Sequence, residues 1–140
     1  MAEPTFEAIR AMFDALRANA ALKALVKNQI FDRVPQSPPP TSPYVSLGPF
    51  YMQRDDATCI SGLELFVQLD VWTWGADAAN GDSINARLVS DMIAETLHNA
   101  VLPLPTNRLV NIEHRSTEVF LDVDKATQHG VVRFWISIER

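Results

Sequence analysis

The sequence has little of several features that define common protein classes. One cysteine, Cys59, stands among 140 residues, so no disulfide can form within the chain. The five glycines are isolated, which excludes a glycine-rich phosphate-binding loop. No run approaches the roughly 18 consecutive apolar residues of a membrane-spanning helix, and the N-terminus lacks the basic and apolar stretches of a secretory signal. We therefore expect synthesis in the cytoplasm and no association with a membrane.

Basic charge is also scarce. The net charge is −5, and its distribution is uneven: residues 1–60 carry six basic and six acidic side chains, whereas residues 61–140 carry six basic and eleven acidic. A protein that holds nucleic acid tightly needs a basic patch for the phosphates. The composition argues against such a binder and places the acidic excess in the C-terminal 80 residues.

The remaining composition is that of an ordinary globular domain. Apolar residues make up 47% of the chain and charged residues 21%, values at which a chain buries enough apolar surface to fold. The length suits one domain, which we expect to cover residues 1–140.

Hydrophobic periodicity predicts two main helices and one short helical stretch. Apolar residues recur at spacings of three and four from Phe6 to Leu16, a second short helical stretch runs from Ala20 to Val26, and a helix of about 18 residues begins at Asp82 or Ser83. Pro103 and Pro105 are expected to end this last helix.

Alternation of apolar and polar residues predicts six strands. The clearest is Leu63 to Trp72, and the other two of the first half are Ile30 to Val34 and Tyr44 to Gly48, the latter stopped by Pro49. A polar loop follows from Gln53 to Ser61. The last third predicts three short strands in a meander, with turns near Arg115-Ser116 and from Lys125 to Gly130.

The predicted fold class is α+β, with two main helices packed on a mostly antiparallel sheet in the order α-β-β-β-α-β-β-β. Between the first two strands, five prolines in the nine residues 35–43 predict an extended, semi-rigid loop.

The sequence offers no set of residues with the spacing of a catalytic or metal site. Glu95 and His98 lie three apart on the long helix, but a second such pair is lacking; His114 and His129 have no partner at metal-ligand spacing. Cys59 has no flanking motif. We expect no enzyme activity, no metal and no cofactor.

Surface residues are the better candidates for function. Trp72 and Trp135 fall on the less apolar face of their strands, and Trp74 follows closely. Tryptophan is common in interface cores. Either helices cover both sheet faces and the tryptophans fill a core, or another subunit covers the second face. The candidate interface residues are Tyr44, Trp72, Trp74, Trp135, Pro38, Pro39 and Pro40. Candidate residues for an acidic surface are Glu118, Asp122 and Asp124.

The chain resembles the tail completion, or tail terminator, family of long-tailed phages and phage-derived gene transfer agents. The resemblance rests on the order of several short segments along almost the whole chain. These are Ala15-Leu16-Arg17-Ala18, Leu22 to Val26, Ile30 to Pro35, Pro43-Tyr44-Val45-Ser46-Leu47-Gly48, Leu69-Asp70-Val71-Trp72-Thr73-Trp74, the helix with Ile84, Leu88 and Leu97, Asp122-Val123-Asp124, and His129 to Phe134. The run Pro38-Pro39-Pro40 is longer than the family pattern.

The resemblance implies a structural assembly protein of the particle. Members form a ring, usually a hexamer, that caps the finished tail tube, stops its polymerisation and joins the tail to head-completion proteins at the head–tail junction. DNA passes through the central channel, and the family has no catalytic residues. The acidic candidates Glu118, Asp122 and Asp124 would then line the lumen or rim, where a positive surface would retain DNA through its phosphates.

Two alternatives from other classes remain open at this point. One is a monomeric adaptor that binds a partner through Trp72, Trp74 and the Pro35–Pro43 loop. The other is a small-molecule-binding α+β domain, which would need a deep apolar pocket with converging polar groups.

Overall fold

The computed structural model describes residues 3–75 and 83–140, and within them it shows three helices and one five-stranded sheet. The elements are α1 (Pro4–Ala18), α2 (Ala20–Val26), β1 (Ile30–Phe31), β2 (Tyr44–Arg54), β3 (Gly62–Thr73), α3 (Ser83–Leu97), β4 (Arg108–Leu121) and β5 (Gln128–Glu139). The strand order is β1-β2-β3-β5-β4, in which only the β1–β2 pair is parallel. The predicted α+β class and mostly antiparallel sheet are confirmed.

The helices begin and end where local chemistry requires it. Both carboxylate oxygens of Glu3 accept backbone N–H groups of α1, from Thr5 and Phe6, and Pro4 occupies the first turn, where its missing N–H costs nothing. Asn19 ends α1 and caps α2 by accepting the Leu22 N–H.

Helix α3 is shorter than predicted. It ends at Leu97, well before Pro103, because Asn99 adopts a positive φ of 56° and its N–H donates to the Ile112 carbonyl oxygen of β4. The predicted N-cap Asp82 lies outside the described residues, and Ser83 is the first described residue of α3.

The sequence prediction of a turn at Arg115-Ser116 is wrong, because the two predicted strands are one strand, β4. The pairing of β4 with β5 shifts register between His114 and Ser116. A β-bulge at this point absorbs an extra residue and bends the strand without ending it. Bulges break strict alternation, which is why the sequence pattern reads as two short strands.

Strand β2 is longer than predicted for a related reason. The strand continues past Gly48-Pro49 to Arg54, so both the predicted stop and the predicted start of the loop at Gln53 are wrong. A register shift lies between Leu47 and Phe50. Since β1 pairs only with Val45 and Ser46, the outer edge of β2 is free at Pro49, and a proline needs no partner there. The strand predicted from Ile30 to Val34 is the two-residue β1.

All three helices share one core with a single face of the sheet. The largest fully buried side chains come from the helices, from alternate positions of β3 and β5, and from one position of β4: Met12, Leu16, Leu22, Leu63, Leu65, Leu69, Ile93, Leu97, Ile112, Phe134, Ile136 and Ile138. Helix α3 approaches closely at Gly130, where an added Cβ would lie 2.5 Å from Ser90 Oγ. We call this side of the sheet the covered face.

A buried carboxylate joins α1 to the segment that precedes β4. Glu7 is 3% exposed and accepts hydrogen bonds from the Thr106 hydroxyl (2.6 Å) and N–H (2.9 Å) and from the Asn107 N–H (3.1 Å) and side-chain amide (2.9 Å). Burial alone would raise the pKa of Glu7, but these hydrogen bonds outweigh it and lower the pKa below its ordinary value of 4.5. The carboxylate is therefore charged and fully bonded at neutral pH.

Candidate interaction surfaces

The second face of the sheet carries aromatic and charged side chains, and no helix among the described residues packs on it. We call it the open face. Its residues alternate with those of the core along each strand, as the period of two requires. Strand pairing brings Tyr44 opposite Trp72, Trp72 opposite His129, and His129 opposite Phe120. We call these four residues the Trp72 rung.

The rings of the Trp72 rung are in contact across four strands. The Trp72 and His129 rings are stacked, with centroids 3.9 Å apart and planes at 14°. The ring centroids of Phe120 and His129 are 5.0 Å apart, and those of Tyr44 and Trp72 are 6.4 Å apart. The Trp72 indole N–H donates to Ser46 Oγ at 3.0 Å. The rung is therefore a preorganised aromatic surface in which the Trp72 indole N–H already has a partner.

A buried carboxylate supports the rung from beneath. Asp70 Oδ1 lies 2.8 Å from His129 Nε2 and accepts the Gln68 side-chain amide at the same distance. Gly48 permits this arrangement, because an added Cβ there would lie 2.6 Å from Asp70 Oδ2. Burial and, to a lesser degree, the charge of Asp70 raise the pKa of the Tyr44 hydroxyl above its ordinary value of 10.0. Tyr44 is therefore uncharged at physiological pH.

A second aromatic row crosses the other half of the open face. Tyr51 stacks on Phe66 with centroids 4.7 Å apart, Phe66 pairs with Trp135, and the Arg115 guanidinium lies 5.1 Å from the centroid of the Trp135 ring. We call these four residues the Trp135 rung. They line a concavity whose lining also includes Glu64, Ser116 and Arg133.

Ion pairs lie on the open face beside the Trp135 rung. Arg133 Nη1 lies 2.6 Å from Glu118 Oε1, and Arg115 Nη2 lies 3.3 Å from Glu113 Oε2. All four side chains are substantially exposed, at which exposure an ion pair contributes roughly 0–1 kcal/mol. The open face thus presents both charge signs beside its aromatic rings.

The sequence-predicted interface residues lie on two adjoining surfaces. Tyr44, Trp72 and Trp135 lie on the open face, all half-buried, while Trp74 is 38% exposed and its ring meets that of Tyr44 edge-on at 6.0 Å. The proline loop lies next to them, since the Trp74 N–H donates to Ser42 Oγ at 2.9 Å. No helix of the described residues covers these tryptophans, and their coverage by another subunit stays a prediction.

The Gln29 side chain also holds the base of the proline loop. Gln29 accepts from the Thr41 N–H at 2.8 Å and donates to the carbonyl oxygens of Thr41 and Pro43. Beyond this clamp, Pro38 and Pro39 are exposed and Pro40 is half-buried. The loop is thus a fixed projection that can contact another molecule with little loss of conformational entropy.

The three candidate acidic residues do not share one environment. Glu118 lies on the open face in its ion pair with Arg133, whereas Asp122 and Asp124 belong to the turn between β4 and β5. Asp124 accepts the N–H groups of Ala126 and Thr127 and the Thr127 hydroxyl. A channel lining made by all three carboxylates stays a prediction, which the position of the turn in an assembled particle tests.

Sequence reasoning did not single out several residues that complete these surfaces. Phe66 could have been found, because it shares the alternation of β3 with Trp72. His129, Phe120 and Tyr51 join their rungs only through strand pairing, and Arg115 reaches Trp135 at a bulge that alternation does not reveal.

The described residues also allow a search for metal-binding side-chain groups and for membrane-spanning helices. Across residues 3–75 and 83–140, no three His, Cys, Asp or Glu side chains are grouped so as to hold a metal ion. Within the same two ranges, no helix is both long and apolar enough to cross a membrane. Cys59 is exposed.

Comparison with known proteins gives two positive findings. The model of the family described as tail completion protein gp17 matches residues 10–139. A chain in the solved structure of the virion of a native gene transfer agent (GTA) particle is similar in fold, with a TM-score of 0.85 and 25% sequence identity over 97% of each chain. No curated protein matches the sequence.

Proposed function

Because the chain belongs to the tail completion protein gp17 family, it is a structural protein of a phage-type tail, and we propose that it is the ring-forming terminator of the tail tube. In this proposal six copies close into a ring that caps the completed tube and stops its polymerisation. The same ring joins the tail to the head-completion proteins, and DNA passes through its centre. The protein resides in the virion or gene transfer agent particle, at the head–tail junction.

The observation that carries the proposal is the open face. Two aromatic rows lie on a sheet face that no helix of the described residues covers, and an exposed apolar patch with a polar rim is typical of a protein interface. The likeness to a chain of a GTA virion, at a TM-score of 0.85 over 97% of both chains, supports a place in the particle. The acidic composition is consistent with a conduit, since it offers DNA few phosphate contacts.

Electron microscopy of particles made without this protein tests the proposal. A missing terminator should give tails of uncontrolled length or tails without heads, and the wild-type gene supplied in trans should restore normal particles. Normal tails of uniform length in its absence would contradict the proposal, as would failure to find the protein in purified wild-type particles.

A further inference from the structure

The concavity of the open face has a composition that suits a particular occupant. Its lining includes the rings of Tyr51, Phe66 and Trp135 and the two guanidinium groups of Arg115 and Arg133. The carboxylate in the lining, Glu64, already accepts the Gln53 side-chain amide at 2.7 Å. Apolar rings beside two cations fit an apolar side chain flanked by carboxylates. We call this site the aromatic concavity.

The two guanidinium groups retain capacity for a further carboxylate. Among residues 3–75 and 83–140, Arg115 pairs with Glu113 and Arg133 pairs with Glu118, and a guanidinium has five N–H donors. The side chains of Arg115 and Arg133 are 55% and 46% exposed. The aromatic ring beneath Arg115 also restricts its position, so an incoming carboxylate meets a donor that is already placed.

The β4–β5 turn carries a matching group. Val123 is 94% exposed and stands between Asp122 and Asp124 in the sequence. The two residues that precede Asp122, Phe120 and Leu121, are 43% and 42% exposed. Turns favour Gly, Pro, Asn, Asp and Ser, so the fold of this turn gives no reason for a valine at its tip. An apolar side chain between two carboxylates is the complement of the aromatic concavity.

The turn is also rigid enough to act as a preformed ligand. The Asp122 N–H donates to the Thr127 carbonyl oxygen at 2.8 Å, and the Lys125 N–H donates to the Asp122 carbonyl oxygen at 2.9 Å. The hydrogen bonds to Asp124, first among them that of the Thr127 hydroxyl, lower the pKa of its carboxyl below the ordinary value of 3.8. Asp124 is therefore charged at neutral pH, and binding would order few additional groups.

One chain cannot fill its own concavity with its own turn. From Ser116, in the lining of the concavity, β4 continues five residues to its end at Leu121, about 17 Å at 3.3 Å per residue. Val123 lies two residues further, in the turn, which places the two sites roughly 20 Å apart. The Val123 turn and the aromatic concavity therefore lie at different places on one subunit. A contact of this kind is heterologous, and repeated head-to-tail it closes into a ring when the rotation allows.

We propose that in the ring the β4–β5 turn of one copy inserts Val123 into the aromatic concavity of the next copy, with Asp122 and Asp124 facing Arg115 and Arg133. This inference rests on the proposed function and names the contact by which the ring closes. It assigns Asp122 and Asp124 to a subunit interface and leaves Glu118, at the edge of that interface, to hold Arg133 in place.

Cross-linking in purified particles tests the contact. The variant Cys59→Ser/Ser116→Cys/Val123→Cys is treated with a bis-maleimide shorter than the roughly 20 Å that separates the two sites within one chain, so a link must join two copies. We expect a ladder of cross-linked species that ends at the full ring. Cys59→Ser/Val123→Cys and Cys59→Ser/Ser116→Cys alone should give no ladder, and a mixture of them should give no species above a pair.

The outcomes separate the inference from the proposed function. Protein that is present in particles and gives no cross-links overturns the contact and leaves the terminator role intact. A ladder that stops at two copies indicates a closed reciprocal pair, which also overturns it. Absence of the wild-type protein from particles contradicts the proposed function instead.

A side-chain truncation provides a second measurement. Val123→Ser removes the apolar tip and should lower incorporation into particles about tenfold, the effect expected of one central interface contact. Val101→Ser is the matched control, because Val101 is also 94% exposed but lies between α3 and β4. Equal incorporation of the two folded variants would overturn the proposal.

Discussion

The two faces of one sheet differ in both the kind of residue they carry and its degree of burial. On the covered face, Leu65 and Ile136 pack against the helices and are fully buried. On the open face, their chain neighbours Phe66 and Trp135 are half-buried and lie beside arginines and glutamates. The same strands therefore supply a dry aliphatic core on one side and an amphipathic aromatic surface on the other.

This difference separates residues that stabilise the fold from residues available to a partner. Aliphatic side chains fill a core at high density and have no polar atoms to satisfy. Tryptophan, tyrosine and histidine bury a large apolar area and keep a polar atom that can bond at a wet boundary. A surface of the second kind tolerates exposure in a free subunit and gains most when another protein covers it.

The largest expected effect on folding comes from the adjacent residues Phe134 and Trp135. Phe134 is 1% exposed in the core, so Phe134→Ala should lower the free energy of unfolding by about 3–5 kcal/mol. Trp135→Ala on the open face should cost about 1–2 kcal/mol, since it removes a half-exposed ring and its contact with Arg115. Urea denaturation of both variants measures the contrast. Equal losses would show that the open face is part of the folding core.

A smaller effect on the covered side depends on pH. The folded state holds the pKa of Glu7 below 4.5, so its contribution to stability is fully present above about pH 4.5 and is lost as the pH falls through the folded-state pKa. We expect Glu7→Gln to destabilise the protein at pH 7 and the difference from wild type to shrink on acidification toward pH 3. Thermal unfolding over this pH range measures it. A difference that stays constant, or that grows in acid, would contradict the assignment.

The smallest expected effect on folding is at Trp74, which borders the open face. Trp74→Ala removes a 38% exposed ring with one edge-on contact to Tyr44, and the free energy of unfolding should fall by about 0.5–1 kcal/mol. Incorporation into particles should fall far more than this loss of stability explains. A large drop in thermal stability, or normal incorporation, would remove Trp74 from the interface.

Much of the covered face could be predicted from the sequence, because the spacing of apolar residues along a strand or helix indicates which side of that element is buried. The alternation from Leu63 to Trp72 identified β3 and the side on which Trp72 lies. The helical spacing from Phe6 to Leu16 identified α1. Such patterns fail where the backbone departs from its period, and the bulge near Arg115 accordingly divided β4 into two predicted strands.

The open face could be predicted only in part. Alternation placed Trp72 and Trp135 on one side of their strands, but the order of strands decides which residues become neighbours. His129 and Phe120 meet Trp72 because β5 lies between β3 and β4. A hydrogen bond between residues as distant as Glu7 and Asn107 leaves no trace in local sequence either.

The place of β5 in the sheet has a consequence for how the subunit is made. β5 is synthesised after every other strand, yet it lies in the sheet interior and joins β3 to β4. While the ribosome is still adding residues 128–139, the edge of β3 that β5 will cover has no partner, and the core lacks Val132, Phe134, Ile136 and Ile138. Folding dominated by such distant contacts is slow, and a nascent chain with an unpaired central strand is prone to aggregate. We therefore expect the subunit to become competent for assembly only after translation has passed β5.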